Sequence, residues 1–498
     1  MKKITYFVVL LLLFFGIAAY ASIDQSKFTI LQSSNSPLVA IRVMVNVGSI
    51  DDPVGKEGLC ALTGNLLANG GTTSLTHEEI LKKLYPMAAQ LDFLADKEVC
   101  TFVAVVHKDN LEKLYQILSG LILKPRFDPA DFKREKESLI SDIKNGLRSY
   151  SEEELGKTAL DNFIHNNHPY GHCNVGTVKG LESITLEDVK DFYHKKFIPQ
   201  NMHIGIAGDI NKAFESKIKK DFSAVIVKRK VNLPAREKIN QIEVIIIEKP
   251  CLATAISFGF PIDVTRSDKD FYPLMIANSA FGEHRTFHGR LMNHIRGARG
   301  FNYGDYSYIE NFIQEGGSRL PLTNIPRGQQ FFSVWIRPVP HAYTHFILRQ
   351  AVRELELLVN EGLTKEEFAA TQSYLINYAP LMAQNLSRRL GYGIDSKFYG
   401  TEYFIDQIQK ELPKVTLKEV NAAIKKYLQY KNIKVVIVTP DAKGLMADLL
   451  SDKPSFITYS NKGIPPEVLE EDKIIAKYPL LINKDKIKII PVGEMFEK

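Results

Sequence analysis

The sequence predicts a mixed α/β (α+β sandwich) protein made of two duplicated halves, and three observations carry that prediction. At 498 residues the chain is too long for one ordinary hydrophobic core, so two or more domains are expected. A hydrophobic fraction of 45% with 24% charged residues is ordinary for folded protein. The third observation is a repeat. Ile184-Thr185-Leu186-Glu187-Asp188-Val189 opens a helix that ends near Lys195-Lys196-Phe197, and Val415-Thr416-Leu417-Lys418-Glu419-Val420 opens one that ends at Lys425-Lys426-Tyr427. Each threonine stands as an N-cap before acidic residues, and each helix finishes on lysines, as the helix dipole favours.

A strand follows in both copies, at 202–207 and 433–438. Upstream, 101–106 reads as a strand and 110–123 as a helix, and Phe127-Asp128-Pro129-Ala130-Asp131-Phe132 begins a long helix. The second copy has a strand at 331–337, a helix at 343–360 and Leu363-Thr364-Lys365-Glu366-Glu367-Phe368. Element order repeated at a similar offset argues for duplication better than any single match. Strands alternating with helical pairs make each half an α/β or α+β unit of about 200 residues. The halves span 24–227 and 241–453, joined by a basic linker at 228–240 that carries Pro234. The tail, 454–498, holds Pro465, Pro466 and Pro479 among many charges and reads as a partly extended appendage.

The first 21 residues read as a signal peptide. Lys2 and Lys3 precede an apolar run from Tyr6 to Ala19, and Ala19-Tyr20-Ala21 suits cleavage before Ser22. The run is shorter than the roughly 20 residues of a membrane span, which argues against stable insertion; an uncleaved anchor is the alternative. A periplasmic or secreted chain is therefore expected, where disulfides can form. Cys60, Cys100, Cys173 and Cys251 are widely spaced with no C-x-x-C, so no metal knuckle is implied. Cys60 and Cys100 fit either a pair or two buried thiols. Net charge is a mild +6, and no basic stripe with interleaved aromatics points to nucleic acid.

Residues 55–72 read GKEGLCALTGNLLANGGT. This resembles the first helix of the pitrilysin/insulinase family of zinc peptidases, which writes G-x-x-H-x-x-E-H before a run ending in G-T. Two histidines at i and i+4 share one helix face, and the glutamate between them activates a metal-bound water. Laid on that pattern from Gly58, the histidine columns hold Ala61 and Asn65 and the glutamate column holds Gly64. The family's third ligand, a glutamate about 77 residues beyond the second histidine, falls on Asp142, read as a relic or a structural acid. A strand at 39–47 leading into Gly48-Ser49, and His168-Pro169-Tyr170-Gly171 with Gly176-Thr177, resemble further family stretches. The resemblance covers roughly residues 25–450. It implies a bilobal, chamber-forming subunit whose halves are mixed, mainly antiparallel sheets covered by helices.

Residues 289–308, GRLMNHIRGARGFNYGDYSY, resemble the family's C-terminal signature, in which an Arg and a Tyr seven positions later face the active chamber. Here they are Arg296 and Tyr303. A phenol and a guanidinium aimed at a scissile carbonyl would stabilise its developing negative charge. Taken without the family, Arg296 is a helix-end cation and Tyr303 a strand aromatic, with Arg299 the competing cation.

The histidine pairs His284/His288 and His341/His345 have metal-ligand spacing, but Phe287 and Thr344 stand where a base is needed. Surface or core roles are expected for them, and His165, His168 and His172 read as solvated loop histidines. Ile325–Phe332 suggests no chemistry beyond a lead-in to a packed strand.

In the divided members of such a family one subunit brings H-x-x-E-H and the other the Arg/Tyr pair. The resemblance therefore implies a zinc-less subunit that binds no cofactor itself. Its partner would be a zinc-bearing insulinase-like subunit and its substrates peptides. The competing reading is a non-catalytic scaffold or peptide binder with a relic peptidase fold, as in proteins resembling core subunits of a respiratory complex. A cysteine hydrolase built on Cys60 is set aside, because an unactivated buried thiol is inert.

Overall fold

Two sheets with one shared strand order organise the chain, seen in a computed structural model that describes residues 27–223, 231–459 and 463–498. The leader expected at 1–21 and part of the linker lie outside the described residues. Strands β1 (Phe28–Gln32), β2 (Leu38–Val45), β3 (Gln90–Ala95), β4 (Cys100–His107) and β5 (Met202–Gly208) form the first sheet, in the order β1-β5-β2-β4-β3. Strands β6 (Glu243–Glu248), β7 (Thr254–Ile262), β8 (Asp305–Tyr308), β9 (Gln330–Val339), β10 (Lys434–Thr439) and β11 (Ile487–Pro491) form the second, in the order β11-β6-β10-β7-β9-β8.

Without β11 the two orders superimpose element by element. β1 runs parallel to β5, as β6 does to β10, and every other matched pair is antiparallel. The duplication legible in the sequence is thus a duplication of topology. Its signature helices form as expected. Thr185 Oγ1 accepts from Asp188 N at 3.2 Å and Thr416 Oγ1 from Glu419 N at 3.3 Å. In both, the acidic side chain returns the bond to the threonine N–H, closing a capping box over Leu186–Lys196 and Leu417–Tyr427.

β2 (LVAIRVMV) and β10 (KVVIVT) are buried along nearly their whole length rather than on alternate residues. Strands read this way when both faces of a sheet are covered. Helices Leu59–Asn69, Leu111–Leu123 and Leu186–Lys196 share one core with the first sheet. Its other face is covered from the opposite half, by helix Leu386–Tyr399 lying across β2 and β5. Reciprocally, helix Glu152–Ile164 of the first half packs on β7 and β10 of the second. Gly205 in β5 shows the tightness of one crossing, since a Cβ there would lie 2.5 Å from Ile394 Cδ1 and 2.9 Å from Leu390 Cδ1. The halves are interlocked by exchanged helices, a pairing between residues far apart in sequence that no local pattern encodes.

The tail is a correction to the sequence reading. β11 extends the second sheet parallel to β6, with Ile487 opposite Val244. Helix Pro466–Ile475 is held by buried Arg299, whose Nε and Nη2 each lie 2.8 Å from Asp472 and Glu471. The last residues then return to the first half, where Val178 N donates to Phe496 O at 3.0 Å and Arg148 Nε to Met495 O at 2.7 Å. Prolines and charges made 454–498 look partly extended, but Ile475, Leu480, Ile482 and Ile487 are buried in the core of the second half, on apolar surface that only the assembled sheet presents.

Candidate functional site

Helix Leu59–Asn69 begins where Asp52 supplies its missing acceptors: the carboxylate takes N–H bonds from Gly58 at 2.8 Å and Cys60 at 2.7 Å. Ala61 is sealed in the core. A Cβ on Gly64 would fall 1.8 Å from Phe93 Cζ, so the ring of Phe93, from strand β3, occupies the volume a side chain at 64 would need. Asn65 turns back on its own helix, donating from Nδ2 to Ala61 O at 2.9 Å. Asp142 is exposed at the start of a widely wound turn, Asp142–Tyr150. These residues do not fit a zinc ion: one column has no donor, one is filled by an aromatic ring and one is an amide spent on its backbone. Among the described residues no group of three His, Cys, Asp or Glu gathers closely enough to hold a metal ion.

Arg296 and Tyr303 are brought together. Arg296 sits half-buried in the turn Met292–Gly297, with its Cζ 5.3 Å from the Tyr303 ring centroid. Arg337 of β9 approaches the same ring, its Cζ 5.6 Å from the centroid. Tyr303 is 71% exposed, so a ring flanked by two guanidiniums is offered to solvent. Arg337 is fixed by Glu153 at 3.1 Å, a residue of the crossing helix from the first half. In β8, burial lifts the Asp305 carboxyl to about 8, against the opposing pull of Asn302 and Arg296. The competing cation, Arg299, is instead sealed against the tail helix.

A cleft of about 810 Å³ runs between the halves, lined by Asp142, Glu153, Lys157, Asp161, Trp335 and Arg337 among others. Lys157 Nζ lies 4.1 Å from the Trp335 ring centroid. Beneath it is a buried ionic cluster that sequence reasoning missed. Arg327 donates to Asp96 Oδ2 at 2.9 Å and Oδ1 at 2.7 Å, and to both Asp161 oxygens at 3.2 Å. Lys97 lies 3.5 Å from Asp161 and donates to His172 O at 2.5 Å. Burial would raise the Asp161 carboxyl, but Arg327 and Lys97 outweigh it and hold it well below the usual range. The Ile325–Phe332 segment, which suggested nothing, therefore delivers the cation that joins the halves. Its only local signal was an arginine after proline at a strand entrance.

The histidines also depart from expectation. His165 and His168 are buried, not solvated; His165 Nδ1 lies 3.0 Å from Asp161 Oδ1, and both rings pack on Tyr170 at 5.1 Å. Desolvation lowers both, His168 to about 4. His284 and His288 lie in a loop rather than on one helix face, and His284 Nδ1 meets Tyr308 Oη at 2.6 Å. His341 bonds Thr254 Oγ1 at 2.8 Å.

Comparison with known proteins finds similarity to one family. Residues 28–170 match the family described as insulinase (peptidase family M16), and residues 183–375 match the peptidase M16 inactive domain. An uncharacterized zinc protease, YmxG of Bacillus subtilis, is 21% identical over 385 residues, covering 77% of this chain and 88% of the relative. The non-peptidase homolog YmxG of Helicobacter pylori is 22% identical over 458 residues, covering 89% of this chain and all of the relative. The solved M16 inactive domain of Pseudomonas fluorescens shares the fold with a TM-score of 0.71 at 20% identity, covering 83% of this chain and 95% of that one. This chain belongs to the insulinase family, peptidase family M16, as a member whose zinc-motif columns carry alanine, glycine and asparagine.

Proposed function

We propose that this protein is the zinc-less subunit of a heterodimeric insulinase-type peptidase. It pairs with an H-x-x-E-H subunit that holds zinc and the general base. This chain binds no zinc, contributes half the chamber and clamps the substrate carbonyl with Arg296 and Tyr303. The observation that carries the reading is a contrast: the space at position 64 is closed by Phe93, while Tyr303 stands 71% exposed between two arginines. A phenol donor backed by guanidiniums suits a carbonyl oxygen that gains negative charge in the transition state. Substrates are peptides or unfolded chains able to enter an enclosed cavity, met outside the cytoplasm if the leader directs export.

The test is native mass spectrometry of the complex recovered through a tag on this chain, with zinc content and peptide cleavage measured together. A stoichiometric H-x-x-E-H partner, about one zinc per pair, and cleavage lowered by Tyr303→Phe by about 100-fold or more are expected. Zinc-dependent cleavage by this chain alone would sink the reading.

A second reading is favoured by one specific observation: the Helicobacter pylori relative that matches 89% of this chain is named a non-peptidase homolog. On that reading the fold is a scaffold or peptide binder and Tyr303 is a remnant. A zinc-free, inert assembly that still retains peptides is its expected signature.

A further inference from the structure

We propose that Cys60 and Cys100 are joined by a disulfide when the chain folds under oxidising conditions, a covalent link between helix Leu59–Asn69 and strand β4. The two Sγ atoms stand 3.2 Å apart, and both side chains are sealed from solvent. Their backbones are held independently, so the approach is not a loose side-chain accident. The Cys60 N–H is bound by Asp52 Oδ1 at 2.7 Å in the first turn of the helix. Cys100 opens β4 between two neighbours, opposite Val45 of β2 and Ala95 of β3. Bringing the sulfurs from contact to a bond of about 2.05 Å takes a movement of about 1 Å, within reach of side-chain rotation. Among the described residues, buried Cys173 and half-buried Cys251 have no sulfur at such a distance.

The chemistry balances with an external disulfide, either that of a thiol–disulfide oxidoreductase or oxidised glutathione. One protein thiolate attacks the oxidant and forms a mixed disulfide, releasing one thiol. The second protein thiolate displaces the oxidant's remaining sulfur and closes the Cys60–Cys100 bond. One S–S bond forms in the protein, and one breaks in the oxidant. The oxidant leaves as two thiols carrying the two electrons and two protons. The bond closes during folding, because in the finished structure both thiols are enclosed and burial pushes the Cys60 thiol well up.

This link stands independently of the peptidase reading. It pins the first turn of the helix whose metal columns are empty, one residue before Ala61. By closing a loop across a separation of 40 residues, it narrows the unfolded ensemble and so stabilises the fold.

The experiment is refolding of the full chain in glutathione buffer, alkylation of free thiols, and peptide mapping by mass spectrometry. The expected result is a Cys60–Cys100 linked peptide with Cys173 and Cys251 alkylated. Cys60→Ala should leave Cys100 alkylated rather than re-paired. The oxidised protein should melt several degrees above the reduced one, and the Cys60→Ala/Cys100→Ala double variant should lose that difference. Four alkylated cysteines, scrambled linkages, or a Tm insensitive to reductant in the wild type would overturn the proposal.

Discussion

Arg327 and Asp96 form a two-pronged ion pair across the halves, Nη2 to Oδ1 at 2.7 Å and Nε to Oδ2 at 2.9 Å, with both side chains removed from solvent. Asp161, from the helix exchanged between halves, lies against the same guanidinium at 3.2 Å. The pairing couples three segments distant in sequence: the β3–β4 turn, the crossing helix and the entrance to β9.

Arg327→Ala leaves buried Asp96 without its cation and half-buried Asp161 with Lys97 alone. The expected cost is about 3–5 kcal/mol, read as a fall in the urea midpoint, because breaking a buried pair strands a charge. Lys97 remains beside Asp161, so a near-zero change would mean that water or Lys97 satisfies both carboxylates.

Restoring the motif residues does not restore the site. Gly64→Glu drives a carboxylate into the Phe93 ring, and overpacking of this kind costs about 1–3 kcal/mol. The triple variant Ala61→His/Gly64→Glu/Asn65→His is expected to melt lower than wild type. By calorimetry it should bind zinc no better than wild type. Adding Phe93→Ala should relieve the strain, and the rise in Tm from triple to quadruple variant measures the relief.

Stability should fall with pH through Asp305. Its folded pKa is raised from 3.8 to about 8, so between those values the unfolded state has released a proton that the folded state retains. The unfolded state then binds fewer protons, and unfolding free energy declines as pH rises from about 4 to about 8. Asp305→Asn removes that dependence, and its Tm should exceed the wild type's at pH 8 but not at pH 4. Melting curves across that range check the sign.

Removing the tail should be damaging. Truncation after residue 453 deletes β11, unpairs the β6 edge (EVIIIE) and leaves buried Arg299 without Glu471 and Asp472. An apolar strand with an open edge templates association. The truncated chain is expected in aggregates by size-exclusion chromatography, where the full chain elutes as a defined species.

Much of this architecture was legible in the residues. The threonine capping boxes, strands 101–106 and 202–207, and the repeated element order follow from periodicity and helix-end chemistry, which act over a few residues. The gaps in the zinc motif and the Arg296/Tyr303 spacing were also readable, because a motif is a local pattern on one element. Their family assignment needed only the order of those patterns.

What lay beyond the sequence were the relations between elements. The solvated reading of His165 and His168 failed because their burial depends on Tyr170 and on Phe331 of the other half, which comes within 5.7 Å of His165. Arg327 looked incidental because its partners lie 231 and 166 residues away. Sequence alone determined the helices and strands of the repeated pattern, that they form twice, and that the zinc columns hold no ligand set. Tertiary structure alone decided that the halves exchange helices, that the tail completes a sheet, and that Phe93 fills the place of the missing base. The first set depends on short-range backbone preference; the second depends on which apolar faces and charges meet once the chain has closed on itself.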